Sequence, residues 1–200
     1  MSHYGMVIDM KKCIGCHACT VACKAEQNVP NNIFWSTVLE KEVGIFPKAT
    51  RVFLPILCNH CRNPWCVNVC PTGATYQRND GIVMMDYEQC IGCRACAEAC
   101  PYRARTRVED NRTLYDDGVT VFEKPVAKPI ERGASSKCNF CFHRVDVGRD
   151  PACVEVCPTE CRIFGDLDDK ETKVFELVNS GRAFQLLPEK GTDPSVYYMR

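Results

Sequence analysis

The stretch Cys13-Ile14-Gly15-Cys16-His17-Ala18-Cys19-Thr20-Val21-Ala22-Cys23 carries four thiols in eleven residues, and Cys90 to Cys100, CIGCRACAEAC, repeats it almost word for word. Working outward from these two runs, sixteen of the 17 cysteines fall into four sets of four. Set one is Cys13, Cys16, Cys19 and Cys23; set two is Cys58, Cys61, Cys66 and Cys70. Set three is Cys90, Cys93, Cys96 and Cys100; set four is Cys138, Cys141, Cys153 and Cys157. Pro71, Pro101 and Pro158 follow the last cysteine of sets two, three and four, whereas Lys24 follows Cys23.

An odd number of cysteines cannot pair off completely, and CxxC loops are too small for a disulfide to constrain the unfolded chain usefully, so a disulfide scaffold is disfavoured. The 25 basic and 25 acidic residues balance, which gives no sign of a nucleic-acid partner. That balance treats cysteine as neutral. With thiolates bound to metal the molecule would be distinctly anionic. Lys11, Lys12, Lys24, Arg62, Arg94, Arg103, Arg105, Lys137 and Arg144 lie near the cysteines and could offset the charge. Taken singly, each reads as a solvated surface group.

The C-x2-C-x2-C-x3-C-P spacing resembles the bacterial ferredoxin signature, in which three cysteines hold one 4Fe-4S cubane and the fourth reaches across to the other. Four tetrahedral zinc sites are the competing reading, but zinc ribbons use two separated CxxC knuckles and lack the close third cysteine. Asn79-Asp80-Gly81 between Ala74-Thr75-Tyr76 and Ile82-Val83-Met84 is a strong hairpin signal, making residues 58–100 a complete two-cluster unit. Sets one and four then pair with each other. GMVIDMKKC before set one echoes IVMMDYEQC before set three, and CPTECRIFGD echoes CPTGATYQRND, an internal repeat whose second copy is split between the chain ends.

Crossing over within each unit assigns Cys13, Cys16, Cys19 and Cys157 to cluster 1, and Cys138, Cys141, Cys153 and Cys23 to cluster 2. Cys90, Cys93, Cys96 and Cys70 make cluster 3; Cys58, Cys61, Cys66 and Cys100 make cluster 4. The expected fold class is α+β: two pseudo-equivalent bacterial-ferredoxin-like units with hairpin and loop insertions. Unit A comprises 1–23 plus 138–168, and unit B 58–100. Residues 24–57 form an insertion with a β-hairpin, 101–137 a surface insertion carrying Pro125 and Pro129, and 169–200 a C-terminal helix and tail. Asp168 and Glu171 suggest the helix start, Gly181 its stop, and Val196-Tyr197-Tyr198 a last strand.

Cys161, the odd cysteine, aligns with Ala74 and reads as a small buried residue beside cluster 1; the alternative is a substitute ligand for Cys157. His17, His60 and His143 lie inside cysteine loops, yet every cluster already has four sulfurs, so they read as nearby donors or surface groups. The N-terminus lacks a signal-peptide pattern, and no run reaches the 18 or so apolar residues of a membrane span. There is no nucleophile paired with a base, no phosphate-cradling glycine loop and no open metal position, so no catalytic residue is expected.

Leu57-Cys58-Asn59-His60-Cys61, Pro64-Trp65-Cys66, Arg162-Ile163-Phe164-Gly165-Asp166-Leu167 and the ending LLPEKGTDPSVYY extend the likeness over nearly the whole chain. They resemble the four-cluster electron-transfer subunit of complex iron–sulfur molybdoenzymes, the type found with polysulfide, thiosulfate, tetrathionate, arsenate and dimethyl sulfoxide reductases. The resemblance implies a large catalytic partner with a molybdenum or tungsten bis-pterin and a membrane quinone-binding anchor subunit. It also implies export with that partner to the extracytoplasmic side, with unit A nearer the catalytic partner and unit B nearer the membrane. Departure at Cys161, where that family often has alanine or another small residue, touches only the surroundings of Cys157. An independent soluble polyferredoxin serving another redox enzyme is the alternative function.

Overall fold

A buried apolar strand at one end of the chain organises the architecture: Met6, Val7 and Ile8 of β1 (Tyr4–Asp9) are completely buried. The computed structural model describes residues 2–109, 130 and 133–200, so most of the expected surface insertion, with Pro125 and Pro129, lies outside the described residues. β1 pairs antiparallel with β8 (Arg162–Asp166) and parallel with β10 (Val196–Met199), which in turn pairs with β9 (Ala183–Phe184). Both faces of β1 are covered, as its continuous hydrophobic run requires.

β2 (Ser36–Val43) and β3 (Thr50–Leu57) form a hairpin over their full lengths. A smaller hairpin joins β4 (Thr75–Gln77) to β5 (Val83–Met85). Its turn is closed by the Arg78 amide donating to the Ile82 carbonyl at 2.9 Å, with Gly81 at φ +84°. The β4–β5 and β8–β1 pairs continue in the same way beyond their ends: the Asp86 amide donates to Ala74 O at 2.7 Å, and the Asp9 amide to Cys161 O at 2.8 Å. β6 (Thr106–Arg107) and β7 (Ser135–Ser136) make a short fourth sheet.

The helices are short: α1 (Ala18–Gln27), α2 (Trp65–Asn68), α3 (Ala95–Glu98), α4 (Phe142–Val145), α5 (Ala152–Glu155) and α6 (Lys173–Asn179). Single turns such as α2 to α5 cannot persist alone in water and depend on tertiary packing. α1 packs on α5 and α2 on α3.

α6 begins later than the sequence suggests. Thr172 is its N-cap, the hydroxyl accepting the Phe175 amide at 3.2 Å, while Asp168 instead faces Arg62 at 3.2 Å. Asp169 is occupied by the Glu171 amide in a turn before the helix. Arg62 and the tertiary position of Leu167, buried against Val174, thus override the local capping pattern. Among the described residues no helix is long and apolar enough to cross a membrane.

Candidate cluster-binding sites

The third cysteine of each set occupies the second position of a helix: Cys19 in α1, Cys66 in α2, Cys96 in α3 and Cys153 in α5. The fourth follows four residues on, one helical turn along the same side. Sets one and three reach their helices through matching left-handed turns, with Gly15 and Gly92 both at φ +69° and His17 and Arg94 at +59° and +66°. Glycine is demanded twice over, since a Cβ on Gly92 would lie 2.3 Å from the Gly133 carbonyl oxygen. Sets two and four share a different loop, Cys58-Asn59-His60-Cys61 and Cys138-Asn139-Phe140-Cys141. His60 and Phe140 both adopt positive φ, and their rings stack at 3.7 Å.

The exit from each set explains the missing proline after Cys23. Sets two, three and four leave through a left-handed third residue, Gly73, Arg103 or Glu160, after the proline has stopped the helix. Without proline, α1 runs on to Gln27, and Lys24 then ties down the chain beyond it. Its ammonium donates to the carbonyls of Val29, Pro30 and Ile33 at 3.2, 2.9 and 2.9 Å.

Sulfurs far apart in sequence come together. Cys23, Cys138, Cys141 and Cys153 line one cavity with Trp35, Leu57 and Phe140. Cys70, Cys90, Cys93 and Cys96 line another with Met85 and Ile91. Burial pushes the Cys61 thiol up to about 12, and Cys58, Cys66 and Cys100 act on it electrostatically. Cys161, itself buried, lies 3.5 Å from Cys157 sulfur to sulfur and is influenced by Cys13. Cys16 and Cys93, equivalent members of sets one and three, are exposed, whereas Cys23, Cys138, Cys141 and Cys153 are all buried.

The protein environment of these thiols is divided. Burial raises Cys23, with Cys138, Cys153 and Cys141 adding to the rise, and takes Cys141 to about 11. A thiolate there needs a cation to replace the lost water. At Cys70 and Cys157 burial also opposes ionisation, but it is outweighed by the Thr75 and Cys161 amides, each donating to sulfur at 3.4 Å, and both thiols are lowered.

Four charged side chains are buried among the described residues, and all are cations: Arg105, Lys137, Arg144 and Arg162. This corrects the solvated-surface reading for Arg105, Lys137 and Arg144, although Lys11, Lys12, Arg62, Arg94 and Arg103 are exposed. Arg144 is paired with Glu26 and Glu155. For Arg162, burial works against the charge, but the sulfurs of Cys153, Cys19 and Cys161 outweigh it and hold the group above its ordinary value. Cys66, Cys96 and Cys58 do the same for Arg105. Arg162 Nε and Nη1 and Arg105 Nη2 have no hydrogen-bond partner among the described residues. A buried charge without a counter-charge costs several kcal/mol, so orphaned donors directed among thiols fit an anionic thiolate-ligated cluster. Among the described residues no three His, Cys, Asp or Glu side chains converge closely enough to hold a single metal ion.

The histidines divide by environment. His17 is exposed, and His143 Nε2 meets Glu26 at 2.7 Å. His60 is completely buried, with Nδ1 accepting the Val83 amide at 3.1 Å. Burial first, then the charges of Lys137 and Arg105, push its pKa well down and keep the ring neutral. The sequence offered no sign that His60 would face Phe140, because the stack depends on the two CNxC loops meeting across the molecule.

Comparison with known proteins follows the same lines. The 4Fe-4S dicluster domain matches residues 49–116 and 122–167, and a second model of that description matches 12–74. The chain is 45% identical to a putative dimethyl sulfoxide reductase iron–sulfur subunit of Halobacterium salinarum, covering 100% of this chain and 79% of that one. It is 39% identical to the arsenate respiratory reductase iron–sulfur subunit of a Shewanella species, covering 98% and 95%. Against one of the chains of polysulfide reductase from Wolinella succinogenes the identity is 37%, covering 97% and 92%.

Proposed function

The chain belongs to the 4Fe-4S dicluster iron–sulfur subunits of respiratory complexes of the dimethyl sulfoxide reductase family, and from that membership we propose that it holds four cubanes in one continuous electron path. As a member it is an electron-transfer subunit of an oxidoreductase complex and leaves substrate chemistry to a catalytic subunit. Cluster 1 uses Cys13, Cys16, Cys19 and Cys157; cluster 2 uses Cys138, Cys141, Cys153 and Cys23. Cluster 3 uses Cys90, Cys93, Cys96 and Cys70; cluster 4 uses Cys58, Cys61, Cys66 and Cys100.

The observation that carries this reading is the make-up of the two cavities. Each has three cysteines of one set and the fourth cysteine of another, Cys23 in one and Cys70 in the other. That make-up supports the crossover of a two-cluster ferredoxin. The matching β4–β5 and β8–β1 pairs, with their Asp86 and Asp9 continuations, support two pseudo-equivalent units, one assembled from the two chain ends.

Electrostatic neighbours suggest the order of the path. Cys19 acts on Cys153, linking clusters 1 and 2, and Cys58 acts on Cys138, linking clusters 4 and 2. Arg105 feels Cys66 and Cys96 together, linking clusters 4 and 3. The order is therefore 1–2–4–3, with the exposed Cys16 and Cys93 at its two ends. When bound, each cubane accepts or gives up one electron with little change in geometry. The chain's part is to fix the spacing through the cysteine helices, exclude water around Cys23, Cys138, Cys141 and Cys153, and direct amide donors at Cys70 and Cys157.

The two ends of the path would face different partners: a large subunit with a molybdenum or tungsten bis-pterin beside unit A, and a quinone-binding membrane anchor beside unit B. The complex would then work on the extracytoplasmic face of the membrane. Iron analysis with Mössbauer and EPR spectroscopy of the purified complex tests the reading, which requires about sixteen irons per chain in four cubanes. Recovery of this chain alone, fully active as a soluble carrier, would transfer it to the polyferredoxin alternative.

A further inference from the structure

The three buried cations without a carboxylate partner among the described residues are not scattered. Arg162 lies among Cys19, Cys153 and Cys161, between clusters 1 and 2. Lys137 is completely enclosed between clusters 2 and 4, donating to the carbonyls of Val83 and Cys138; burial lowers its pKa, with Cys58, Cys138 and Cys66 opposing the fall and Arg105 adding to it. Arg105 donates to Thr75 Oγ1 at 3.1 Å and to Met85 Sδ at 3.2 Å and lies among Cys66, Cys96 and Cys58, between clusters 4 and 3. Three junctions join four clusters, and each of the two outer ones holds a guanidinium.

Resting on the four-cluster reading above, we infer that Arg162 and Arg105 are fixed counter-cations, one in each outer gap of the path, that raise the reduction potentials of the clusters on either side. Reducing a cubane adds one electron and makes or breaks no bond, and the same electron leaves the neighbouring cluster. Each transfer across an outer junction therefore moves one negative charge past a stationary positive one. Guanidinium does not lose its proton in proteins, so at the two outer junctions the effect needs no titration. A protein that needed only packing could have filled these sites with apolar side chains at no desolvation cost. The repeat adds independent support. β-Strand register places Arg162 opposite Ile8 and Thr75 opposite Met85, so Thr75 is the counterpart of Arg162. Unit B has no cation at that position. Arg105, arriving from a different part of the chain, bonds to Thr75 and restores one. The equivalent junctions of the two units are thus charged by different routes.

The test is an EPR-monitored redox titration of the purified complex carrying Arg162→Gln, Arg162→Lys or Ser36→Asp. Ser36 Oγ accepts from Arg162 Nη2 at 3.0 Å, so an aspartate there neutralises the cation while leaving its stem in place. A unit charge roughly 7 Å away, at an effective dielectric of about 20, shifts an equilibrium by more than tenfold before relaxation. The reduced-to-oxidised ratio of cluster 1 or 2 at its original midpoint should fall by about tenfold in Arg162→Gln and Ser36→Asp, a shift of about 59 mV for one electron. Clusters 3 and 4 should hold their potentials, Arg162→Lys should stay near the parent, and Arg105→Gln should move clusters 3 and 4 instead. Unshifted potentials in Arg162→Gln or Ser36→Asp, or an equal shift of all four clusters, overturns the inference. So does iron loss in Arg162→Gln when Ser36→Asp keeps its iron and its potentials, or iron loss in both neutralised variants, because the cation would then serve assembly. Fewer than four cubanes in the unsubstituted complex would instead overturn the four-cluster reading.

Discussion

Lys24→Met should loosen the chain that follows Cys23 without changing any sulfur. Lys24 stands where the other three sets place proline, and its ammonium holds three carbonyls, those of Val29, Pro30 and Ile33. A hydrogen bond from a charged donor contributes about 1.5–3 kcal/mol. Ordering a lysine side chain costs about 2 kcal/mol, and Lys24 is half-buried, so water can partly replace the lost donor. Methionine keeps an apolar chain of similar length but also gives up the ammonium that stands 4.8 Å from the Phe34 ring centroid. The net loss is therefore about 2 kcal/mol, which corresponds to a roughly 30-fold rise in local opening. Hydrogen exchange followed by mass spectrometry, on peptides covering 28–35 of the intact complex, measures it directly. Lys41→Met, on the exposed part of the β2–β3 hairpin, is the control. Exchange in the Lys24 variant within threefold of the parent would refute the assignment of Lys24 as the anchor that substitutes for proline.

Cys70→Ala should damage the cluster held by Cys90, Cys93 and Cys96, with loss of up to about four irons, and spare the one held by Cys58, Cys61 and Cys66; the opposite pattern in EPR would break the crossover assignment. Gly73→Ala and Gly92→Ala both place alanine at φ +69°, a strain of about 1–2 kcal/mol, but only Gly92 has a carbonyl oxygen 2.3 Å from the new Cβ. Thermal unfolding should therefore separate them, with Gly92→Ala lower by several degrees or more, and equal midpoints would show that the set-three turn is not tight. Arg78 binds both oxygens of Asp146 at 3.1 and 2.6 Å, and its hydrogen bonding holds that exposed carboxyl below its ordinary 3.8. A lowered carboxyl stabilises the folded state above its unfolded value and loses that contribution as pH falls through the folded one. Asp146→Asn should then change stability slightly at pH 7, less in high salt, and progressively less as pH falls below 3.8 and through the folded value; a salt-independent effect would contradict the pairing.

Sequence was most informative where local chemistry alone decides. Asn79-Asp80-Gly81 reads as a turn because Gly81 adopts a conformation costly to other residues, and Cys161 reads as a small buried residue because the repeat aligns it with Ala74; both are buried. It was least informative where distant segments choose between local alternatives. Asp168 and Glu171 have the residue types of a helix start, but Arg62, more than a hundred residues earlier, takes Asp168, and Thr172 caps α6 instead. The buried cations escaped for a related reason. Nothing within Tyr102-Arg103-Ala104-Arg105 distinguishes the exposed Arg103 from the enclosed Arg105, since the sulfurs that surround Arg105 come from sets two and three. The relatives add a limit of another kind. Identities of 45%, 39% and 37% join proteins named for dimethyl sulfoxide, arsenate and polysulfide, so this chain's cysteine framework does not encode the terminal substrate.

The sheet that ties β1 to β8 and β10 also sets a timetable. During synthesis residues 58–100 leave the ribosome with the eight thiols of sets two and three and both strands of the β4–β5 hairpin. The opening strand has neither neighbour until residues 162–166 and then 196–199 have emerged. Cofactor insertion should therefore begin between residues 58 and 100, while β1 waits, undocked, for β8 and β10.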